Sequence, residues 1–205
     1  MARGRFYVIE GAEGVGSTTQ ARQLVEGLTR EGRRVLPTAE PSKGPVGLMI
    51  RHMLGGDRPR THIHRELALL FAADRLDHIA REVEPALAAG VDVVSDRYVL
   101  SSLVYQSLDL PFEWVRDLNR YAPPPDVTVL ISLPIDEAWA RLDARLQHGA
   151  TREVFDHKTT QVRIHSEYER QARKAGAIIV DGTGSVDDVA MRVRDGLKSI
   201  AAWPS

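Results

Sequence analysis

Apolar and polar positions follow two patterns that alternate along the chain. Short apolar runs, typical of buried strands, are separated by stretches in which apolar residues recur every three or four positions, as on one face of a helix. The predicted strands are 5–10, 33–38, 91–95, 127–133 and 177–180. The predicted helices are 18–31, 46–54, 61–89, 99–108, 112–120, 136–147, 157–175 and 186–200. This alternation predicts a three-layer α/β/α fold, in which helices cover both faces of a five-stranded parallel sheet.

The first predicted strand runs into a glycine-rich turn that leads directly into a helix. The turn consists of Gly11, Ala12, Glu13, Gly14, Val15, Gly16, Ser17, Thr18 and Thr19. Parallel α/β sheets bind ligands at the carboxyl ends of their strands, and such a turn directs backbone N–H groups at a phosphate. The spacing of Gly11, Gly16 and Thr18 is that of the nucleotide-binding P-loop. We expect the turn to bind a nucleotide; a glycine-rich turn that binds nothing is the competing interpretation.

The P-loop pattern departs from the usual one at Ser17, which stands where the motif has a lysine. That lysine places a positive charge against the β- and γ-phosphates, whereas a serine offers only a hydroxyl group. Another cation must replace the lysine if transition-state stabilisation is to be kept. The candidates are Lys43, in the loop after the second strand, and Arg141, Arg145 and Arg152, around a predicted lid at about residues 147–156. An exposed, solvated side chain is the competing interpretation for Lys43 and Arg152.

The long predicted helix carries an arginine within an apolar face. Leu67, Phe71, Arg75 and Ile79 are four residues apart and share that face. A guanidinium there needs an anion, because burying an unpaired charge is costly. Either Arg75 forms an internal salt bridge, for example with Asp96, or it binds a substrate phosphate or base edge. In the second case Phe71 offers a stacking surface, although plain core packing explains Phe71 equally well.

Asp96 and Arg97 directly follow the third predicted strand, and a parallel sheet brings them close to the P-loop. A carboxylate at this place can hold Mg²⁺, as Thr18 can, and the neighbouring arginine can hold a phosphoryl group. The helix that follows carries three polar side chains on one face, namely Ser102, Tyr105 and Gln106. A capped helix with an ordinary polar face is the competing interpretation for these three.

Composition and charge narrow the class of protein. The chain has 205 residues and a formal net charge of −1, which fits one domain spanning residues 1–205 and argues against a nucleic-acid or membrane-surface partner. It has no cysteine, which excludes disulfides and thiolate metal sites. The seven histidines show no metal-ligand spacing. No apolar run approaches the ~20 residues that span a bilayer, so we expect a cytoplasmic protein.

Taken together, these motifs resemble those of the thymidylate kinase family. The segments that carry the resemblance are residues 7–20, Glu40-Pro41, residues 70–75 with His78, residues 94–98 with Ser101, Tyr105-Gln106 and Pro125-Asp126. They cover nearly the whole chain in the order and spacing of the family. The resemblance implies a fold of the nucleoside monophosphate kinase type, usually homodimeric. It also implies transfer of the γ-phosphoryl group of ATP to dTMP with the help of Mg²⁺.

The resemblance further implies roles for individual residues. Arg51 and Arg97 would hold the acceptor phosphate, and Glu13 would orient the nucleotide sugar and the donor end. The remaining acceptor-side residues implied by the resemblance are Glu40 and Pro41, Phe71 stacked on thymine, Arg75 on the base or phosphate, Ser102 and Gln106 near the base edge, and Tyr105 crowding the 2′ position. Gly14 stands where one branch of the family has an arginine. The chain therefore resembles the branch whose catalytic arginine comes from the lid, which favours Arg152 or Arg145.

The chain departs from the family pattern on the donor side. Besides Ser17, it has Thr38-Ala39-Glu40-Pro41-Ser42 in place of the usual Thr-Arg-Glu-Pro-Gly, and its lid matches the arginine-rich family version only loosely. The main hypothesis is a working kinase whose rate depends on a substitute cation. One alternative is a catalytically weak nucleotide-binding paralogue with a regulatory or structural role. Another is an active kinase that accepts a broader range of pyrimidine monophosphates.

Overall fold

The fold is built around a five-stranded parallel sheet. The computed structural model describes residues 2–55, 60–149, 153 and 155–200, with the side chains of residues 60–62 excepted. The strands are β1 (Phe6–Glu10), β2 (Val35–Ala39), β3 (Asp92–Asp96), β4 (Val127–Ser132) and β5 (Ile178–Asp181). Their order in the sheet is β2-β3-β1-β4-β5, and every pairing is parallel. The predicted sheet is therefore confirmed.

Helices cover both faces of the sheet, at the places that the apolar periodicity predicts. They are α1 (Ser17–Arg30), α2 (Pro45–Leu54), α3 (Arg60–His78), α4 (Glu84–Ala88), α5 (Val99–Tyr105), α6 (Phe112–Leu118), α7 (Ile135–Gln147), α8 (Lys158–Lys174) and α9 (Val186–Lys198). Most boundaries differ from the predicted ones by one to three residues at either end. The helix predicted over 99–108 is α5 followed by a 3₁₀ turn, Gln106–Leu108.

One predicted helix is not continuous. The stretch expected as a single α-helix over 61–89 is α3, a π-helical turn at Ile79–Val83, and α4. The backbone N–H of Glu84 donates to the carbonyl of Ile79, five residues back. Pro85 explains the wider turn, because proline has no N–H and its ring would collide with the carbonyl four residues earlier in a regular α-helix. Periodicity alone predicts the helical segment but not this widening.

The sheet topology positions a crevice above β1. All five residues of β1 are buried, and β1 lies between β3 and β4 at the centre of the sheet. β2 and β3 lie on one side of β1, and β4 and β5 lie on the other. Such a change of direction in the strand order opens a crevice at the carboxyl ends of the strands. Ile9 lies beside Asp96 in the register of β1 and β3, so the P-loop and the end of β3 face the same crevice. None of the described helices is both long and apolar enough to cross a membrane.

Candidate active site

Two cavities open side by side in the crevice. The P-loop cavity is lined mainly by the turn after β1 and by α7, with Ala12, Glu13, Gly14, Gly16, Ser17, Thr18, Thr19, Arg97, Arg141, Leu142, Arg145, Glu153 and Asp156. The apolar cavity is lined by Glu13, Glu40, Pro41, Arg51, Leu54, Phe71, Arg75, Arg97, Tyr98, Ser101, Ser102, Tyr105, Gln106, Glu153 and Phe155. Glu13, Arg97 and Glu153 belong to both linings, so the two cavities meet at these side chains.

The glycines of the P-loop are required by its geometry. Gly14 and Gly16 have φ angles of 81° and 92°, in the left-handed region that favours glycine. A Cβ atom at Gly14 would lie 2.2 Å from the carbonyl oxygen of Ala138, so α7 packs directly on the loop. Below the loop, a Cβ atom at Gly11 would lie 2.5 Å from Cγ2 of the buried Val15. Position 14 therefore has no room for the arginine of the other family branch while α7 keeps this place.

Thr18, in the lining of the P-loop cavity, is hydrogen-bonded to Asp96 at the end of β3. The hydroxyl of Thr18 donates to Oδ2 of Asp96 at 2.5 Å. Oδ1 of Asp96 is buried and has no hydrogen-bond partner among the described residues. A hydroxyl and a carboxylate with an unused oxygen beside a phosphate loop fit Mg²⁺, which takes hard oxygen ligands. These two residues would hold the ion together with nucleotide phosphates.

Arg97 occupies the junction of the two cavities in an unusual backbone conformation. Its φ angle is 73°, in the left-handed region, where a residue with a side chain is strained by about 1 kcal/mol or more. Two hydrogen bonds hold the conformation: Arg97 N donates to the carbonyl of Ile9 at 2.9 Å, and the hydroxyl of Ser95 donates to the carbonyl of Arg97 at 2.8 Å. This backbone conformation directs the Arg97 guanidinium into the junction of the two cavities.

The Arg97 guanidinium is held on two sides. Its Nη1 lies 3.1 Å from the hydroxyl of Tyr168, 3.2 Å from that of Tyr105 and 3.4 Å from that of Ser101. Its Nη2 donates to Glu13. Among the described residues no acceptor takes the Nε hydrogen or the second Nη2 hydrogen. Arg97 therefore keeps donors for a further anion.

Glu13 joins Arg97 to a second arginine, Arg145 of α7. Nη2 of Arg145 donates to Oε2 of Glu13 at 2.7 Å, while Arg97 takes the other carboxylate oxygen. Burial disfavours the ionised form of Glu13, but the two guanidinium groups outweigh it and hold the pKa of Glu13 below its ordinary value. Lys43 is exposed and is not among the described residues that line either cavity. Arg152, the other predicted catalytic arginine, lies outside the described residues.

The apolar cavity has aromatic walls and one unpaired acceptor. Phe71 is half-buried in its lining, and the buried Phe155 packs edge-on against the Tyr105 ring, with centroids 5.1 Å apart. Gln106 is buried in the same lining, and its Oε1 has no partner among the described residues. A flat ring with an N–H at its edge would fit between these groups, because an orphaned buried carbonyl is costly unless it accepts a hydrogen bond.

Arg75 is buried behind this cavity in an internal ion pair. Its guanidinium donates to Glu40, with an Nη2–Oε2 distance of 2.6 Å, and also to Asn119 and to the hydroxyl of Ser102. Its charge lies 5.2 Å from the ring centroid of Tyr98. The internal salt bridge, one of the two interpretations of Arg75, is therefore present. Its partner is Glu40 and not Asp96. Arg75 also lines the cavity, so substrate contact stays a prediction.

Comparison with known proteins agrees with this architecture. The family model described as thymidylate kinase matches residues 9–193. The chain belongs to the thymidylate kinase family. A relative from Thermococcus onnurineus (strain NA1), named a probable thymidylate kinase, is 38% identical over 194 residues, or 90% of this chain and 92% of the relative. Similar proteins with the same name come from Thermococcus kodakarensis (strain ATCC BAA-918 / JCM 12380 / KOD1), 40% identical over 74% of this chain and 77% of the relative, and Caldivirga maquilingensis (strain ATCC 700844 / DSM 13496 / JCM 10307 / IC-167), 33% identical over 90% and 88%.

The structure of this thymidylate kinase family member brings most of the predicted site residues together. Every predicted acceptor-side residue lines the apolar cavity. Arg51 lies there with its guanidinium donating to the backbone carbonyls of Pro41, Ser42 and Gly47, so loop contacts already occupy part of it. Of the P-loop residues, Gly11 and Val15 support the turn and do not line the cavity among the described residues.

Several residues that contact the site lie outside the set that the sequence predicts. Phe155 and Tyr168 close the crevice from the segment around α8, and Asn119 supports Arg75 from the end of α6. None of the three lies in a motif used for the resemblance. The spacing of Tyr168 with the buried Ile164 and Ala172 on one face of α8 is the one available signal, because it places a hydroxyl within an apolar stripe.

Glu10, the residue before the P-loop, is a fully buried carboxyl group in this thymidylate kinase fold. It accepts hydrogen bonds from the backbone N–H groups of Tyr98 and Ser101 and from the hydroxyls of Ser101 and Tyr168. Burial raises the pKa of Glu10 from its ordinary value of 4.5 to about 7, although the Ser101 hydrogen bonds and Arg97 act in the opposite direction. Its place at the end of the first predicted strand does not by itself predict this buried position.

The raised pKa predicts a pH effect on stability. Between about pH 4.5 and 7, folded Glu10 holds a proton that the unfolded chain has lost, so the free energy of unfolding falls as pH rises through this range. Glu10→Gln removes the effect. We expect the unfolding free energy of Glu10→Gln, measured relative to the wild type by urea titration, to rise by on the order of 1–3 kcal/mol between pH 5 and pH 8. Glu26→Gln, an exposed change on α1, is the control; parallel pH curves for wild type and Glu10→Gln would contradict the assignment.

Proposed function

We propose that the chain transfers the γ-phosphoryl group of ATP to dTMP, which gives dTDP and ADP. The observation that carries the proposal is the meeting of a P-loop cavity and an aromatic-walled cavity at Arg97 and Glu13. Phosphoryl transfer needs the donor and acceptor phosphates in line, with cations around them. Membership of the thymidylate kinase family supports this reaction, and a cytoplasmic location is part of the same proposal.

On the acceptor side, the cavity favours a base with an N–H at its edge. Phe71 would stack on the ring, and the unpaired Oε1 of Gln106 would accept from N3–H of thymine or uracil. Cytosine has an acceptor at N3, so Gln106 would have to turn its amide over and present its NH₂ group, which leaves the place of Oε1 that suits thymine and uracil. Ser102 would lie at the base edge and Tyr105 against the 2′ position, as the family resemblance implies.

The acceptor phosphate would bind Arg97, which keeps two N–H donors for it, and Arg51, which lines the same cavity. A guanidinium that points two donors at one phosphate is a strong and directional anion site. Glu40 and Pro41 form the wall between the base and Arg51, and Glu40 keeps Arg75 in place. This arrangement would direct the dTMP phosphate at the junction of the cavities.

On the donor side, the backbone of the P-loop would hold the ATP phosphates, and Thr18 and Asp96 would hold Mg²⁺. When bound, the ion would neutralise phosphate charge during transfer. Ser17 is buried in the loop and brings no charge. Arg145 is the best-supported replacement, because α7 packs on Gly14 and delivers its guanidinium to Glu13, within the P-loop cavity. Arg152 stays a second candidate on the strength of the resemblance alone.

Ser17 also supports one alternative. Without the lysine, and with Arg145 engaged by Glu13, the chain would be a weak catalyst that binds nucleotide for a regulatory or structural purpose. The kinase is favoured because a protein that only binds nucleotide has no need for a strained Arg97 at the junction of two cavities.

The acceptor is tested by an ADP-release assay with ATP, Mg²⁺ and a panel of monophosphates. We expect turnover with dTMP, weaker turnover with dUMP, and roughly 5- to 150-fold lower kcat/KM with dCMP, because a mismatched buried hydrogen-bonding group costs about 1–3 kcal/mol. Gln106→Glu keeps the size of the side chain, and its carboxylate still accepts from N3–H while it adds charge to the cavity. Release at background with every monophosphate would eliminate the kinase, and equal rates with dCMP would eliminate the role of Gln106.

The donor-side cation is tested by substitution. Arg145→Ala should lower kcat by about 100-fold, the usual cost of one transition-state donor, while Lys43→Ala, the matched loss of a cation outside the cavity lining, should leave kcat within about twofold. Ser17→Lys should raise kcat in the wild type and restore part of the loss in Arg145→Ala. An unaffected Arg145→Ala variant would refute the assignment. A rate unchanged or lowered by Ser17→Lys would mean that the donor site is built around the serine.

We further propose that the protein is a homodimer through α2 and α3. These helices pack on each other and expose four large apolar side chains, namely Leu48, Met49, Leu69 and Leu76. Exposed apolar groups of this size on adjacent helices are typical of an interaction surface. The family resemblance favours a second copy of the chain as its partner.

The dimer is tested by analytical ultracentrifugation. Leu69→Glu places a charge in the proposed interface and should convert the dimer to a monomer at micromolar concentration. Met191→Glu makes the same change at a comparably exposed site on α9 and should leave the mass unchanged. A monomeric wild type, or a Leu69→Glu variant that stays dimeric, would refute the α2–α3 interface.

A further inference from the structure

The two oxygens of the buried Glu10 carboxylate have different partners. Oε1 accepts from the backbone N–H groups of Tyr98 at 2.9 Å and Ser101 at 3.2 Å. Oε2 accepts from the hydroxyl of Ser101 at 2.7 Å and from that of Tyr168 at 3.1 Å. One oxygen therefore holds the backbone at the start of α5, and the other holds two side-chain hydroxyls.

The same two hydroxyls face Arg97 on their other side. Nη1 of Arg97 lies 3.1 Å from the Tyr168 hydroxyl and 3.4 Å from the Ser101 hydroxyl, which are themselves 2.7 Å apart. A guanidinium has only donors, so each hydroxyl must present a lone pair to it. Glu10 and Arg97 are thus connected through two shared hydroxyl groups.

We propose that Glu10 is a positioning residue for the acceptor-phosphate arginine, because its Oε2 fixes which way the Ser101 and Tyr168 hydroxyls point and so holds Arg97. Above about pH 7 Glu10 is ionised, and an ionised carboxylate accepts hydrogen bonds and donates none. One hydroxyl hydrogen then points at Oε2 and the other lies in the 2.7 Å contact between the two hydroxyls, so each hydroxyl oxygen keeps a lone pair for Nη1 of Arg97. The inference rests on the proposed function only for the identity of the phosphate that Arg97 binds.

Glutamine at position 10 would separate the two roles of the carboxylate. Its amide oxygen can still accept from the backbone N–H groups of Tyr98 and Ser101, which keeps the start of α5 in place. Its NH₂ group, facing Ser101 and Tyr168, donates where Oε2 accepted. The hydroxyl hydrogen that pointed at Oε2 would then turn toward Arg97, and a donor would face a donor across the junction.

A purely structural role for Glu10 makes a different prediction. If the carboxylate only caps α5 and fills the core, its loss weakens the whole acceptor cavity, because α5 also carries Ser102 and Tyr105. If it positions Arg97, its loss affects only ligands that have a phosphate. Thymidine and dTMP differ by that phosphate alone, so the pair distinguishes the two roles.

The test is isothermal titration calorimetry of thymidine and dTMP at about pH 8, where Glu10 is ionised, with the full chain and with Glu10→Gln. We expect dTMP to bind about tenfold more weakly to Glu10→Gln, the cost of one charge-assisted hydrogen bond, and thymidine to bind within about twofold of the wild type. Arg97→Lys should likewise weaken dTMP and spare thymidine. Equal losses for both ligands in Glu10→Gln would assign Glu10 to the structure alone and overturn the proposal.

A double-mutant cycle tests the connection through the hydroxyls. Tyr168→Phe removes one of the two hydroxyls that link Glu10 to Arg97, and Ser101→Ala removes the other. In the variant with both changes, Glu10→Gln should cost dTMP affinity less than about twofold, since no hydroxyl remains to be turned. Full additivity would overturn the proposal. A wild type that binds dTMP no better than thymidine would overturn the proposed acceptor site itself, whereas tight wild-type binding left intact in Glu10→Gln would overturn this inference alone.

Discussion

The Arg97 guanidinium, held between the Glu13 carboxylate and three hydroxyl groups, is the interaction on which the arrangement of the site depends. It lies at the only described place where both cavity linings meet the end of β3. The backbone reaches that place through a left-handed residue that carries a long side chain, a conformation that needs support from its surroundings. The support comes from β1 and from the Ser95 hydroxyl. The central strand of the sheet therefore holds both the P-loop, which follows it, and the Arg97 guanidinium.

Two carboxyl groups three residues apart show how this environment shifts pKa values in opposite directions. Glu10 lies under the loop, where burial dominates and raises its pKa to about 7. Glu13 lies in the loop between Arg97 and Arg145, whose charges outweigh burial and lower its pKa. Near pH 7 the same residue type is therefore partly protonated on one side of the turn and ionised on the other. The difference follows from which arginines the fold brings within reach, because both groups are removed from water.

The sequence predicts the parts of the structure that local pattern determines. Strands, helices and the spacing of Gly11, Gly16 and Thr18 are local, and the structure agrees with them apart from helix ends and the π-turn before Pro85. Contacts between residues that are distant in the chain do not follow from local pattern. The pairing of Arg75 with Glu40 depends on how α3 packs beside the end of β2, and periodicity shows only that a buried arginine needs some anion. Phe155 and Tyr168 belong to the site because α8 folds over α5, which no motif encodes.

The missing P-loop lysine is best understood through the packing of α7. A Cβ atom at Gly14 would collide with the Ala138 carbonyl, so the loop and the helix are in direct contact and cannot be separated by a bulky side chain at that position. Close contact brings Arg141 and Arg145, one and two turns further along the helix, to the rim of the P-loop cavity. Ser17 lines the same cavity as these two arginines. The positive charge that α7 adds beside the loop therefore depends on the glycine at position 14, which lets the helix pack there.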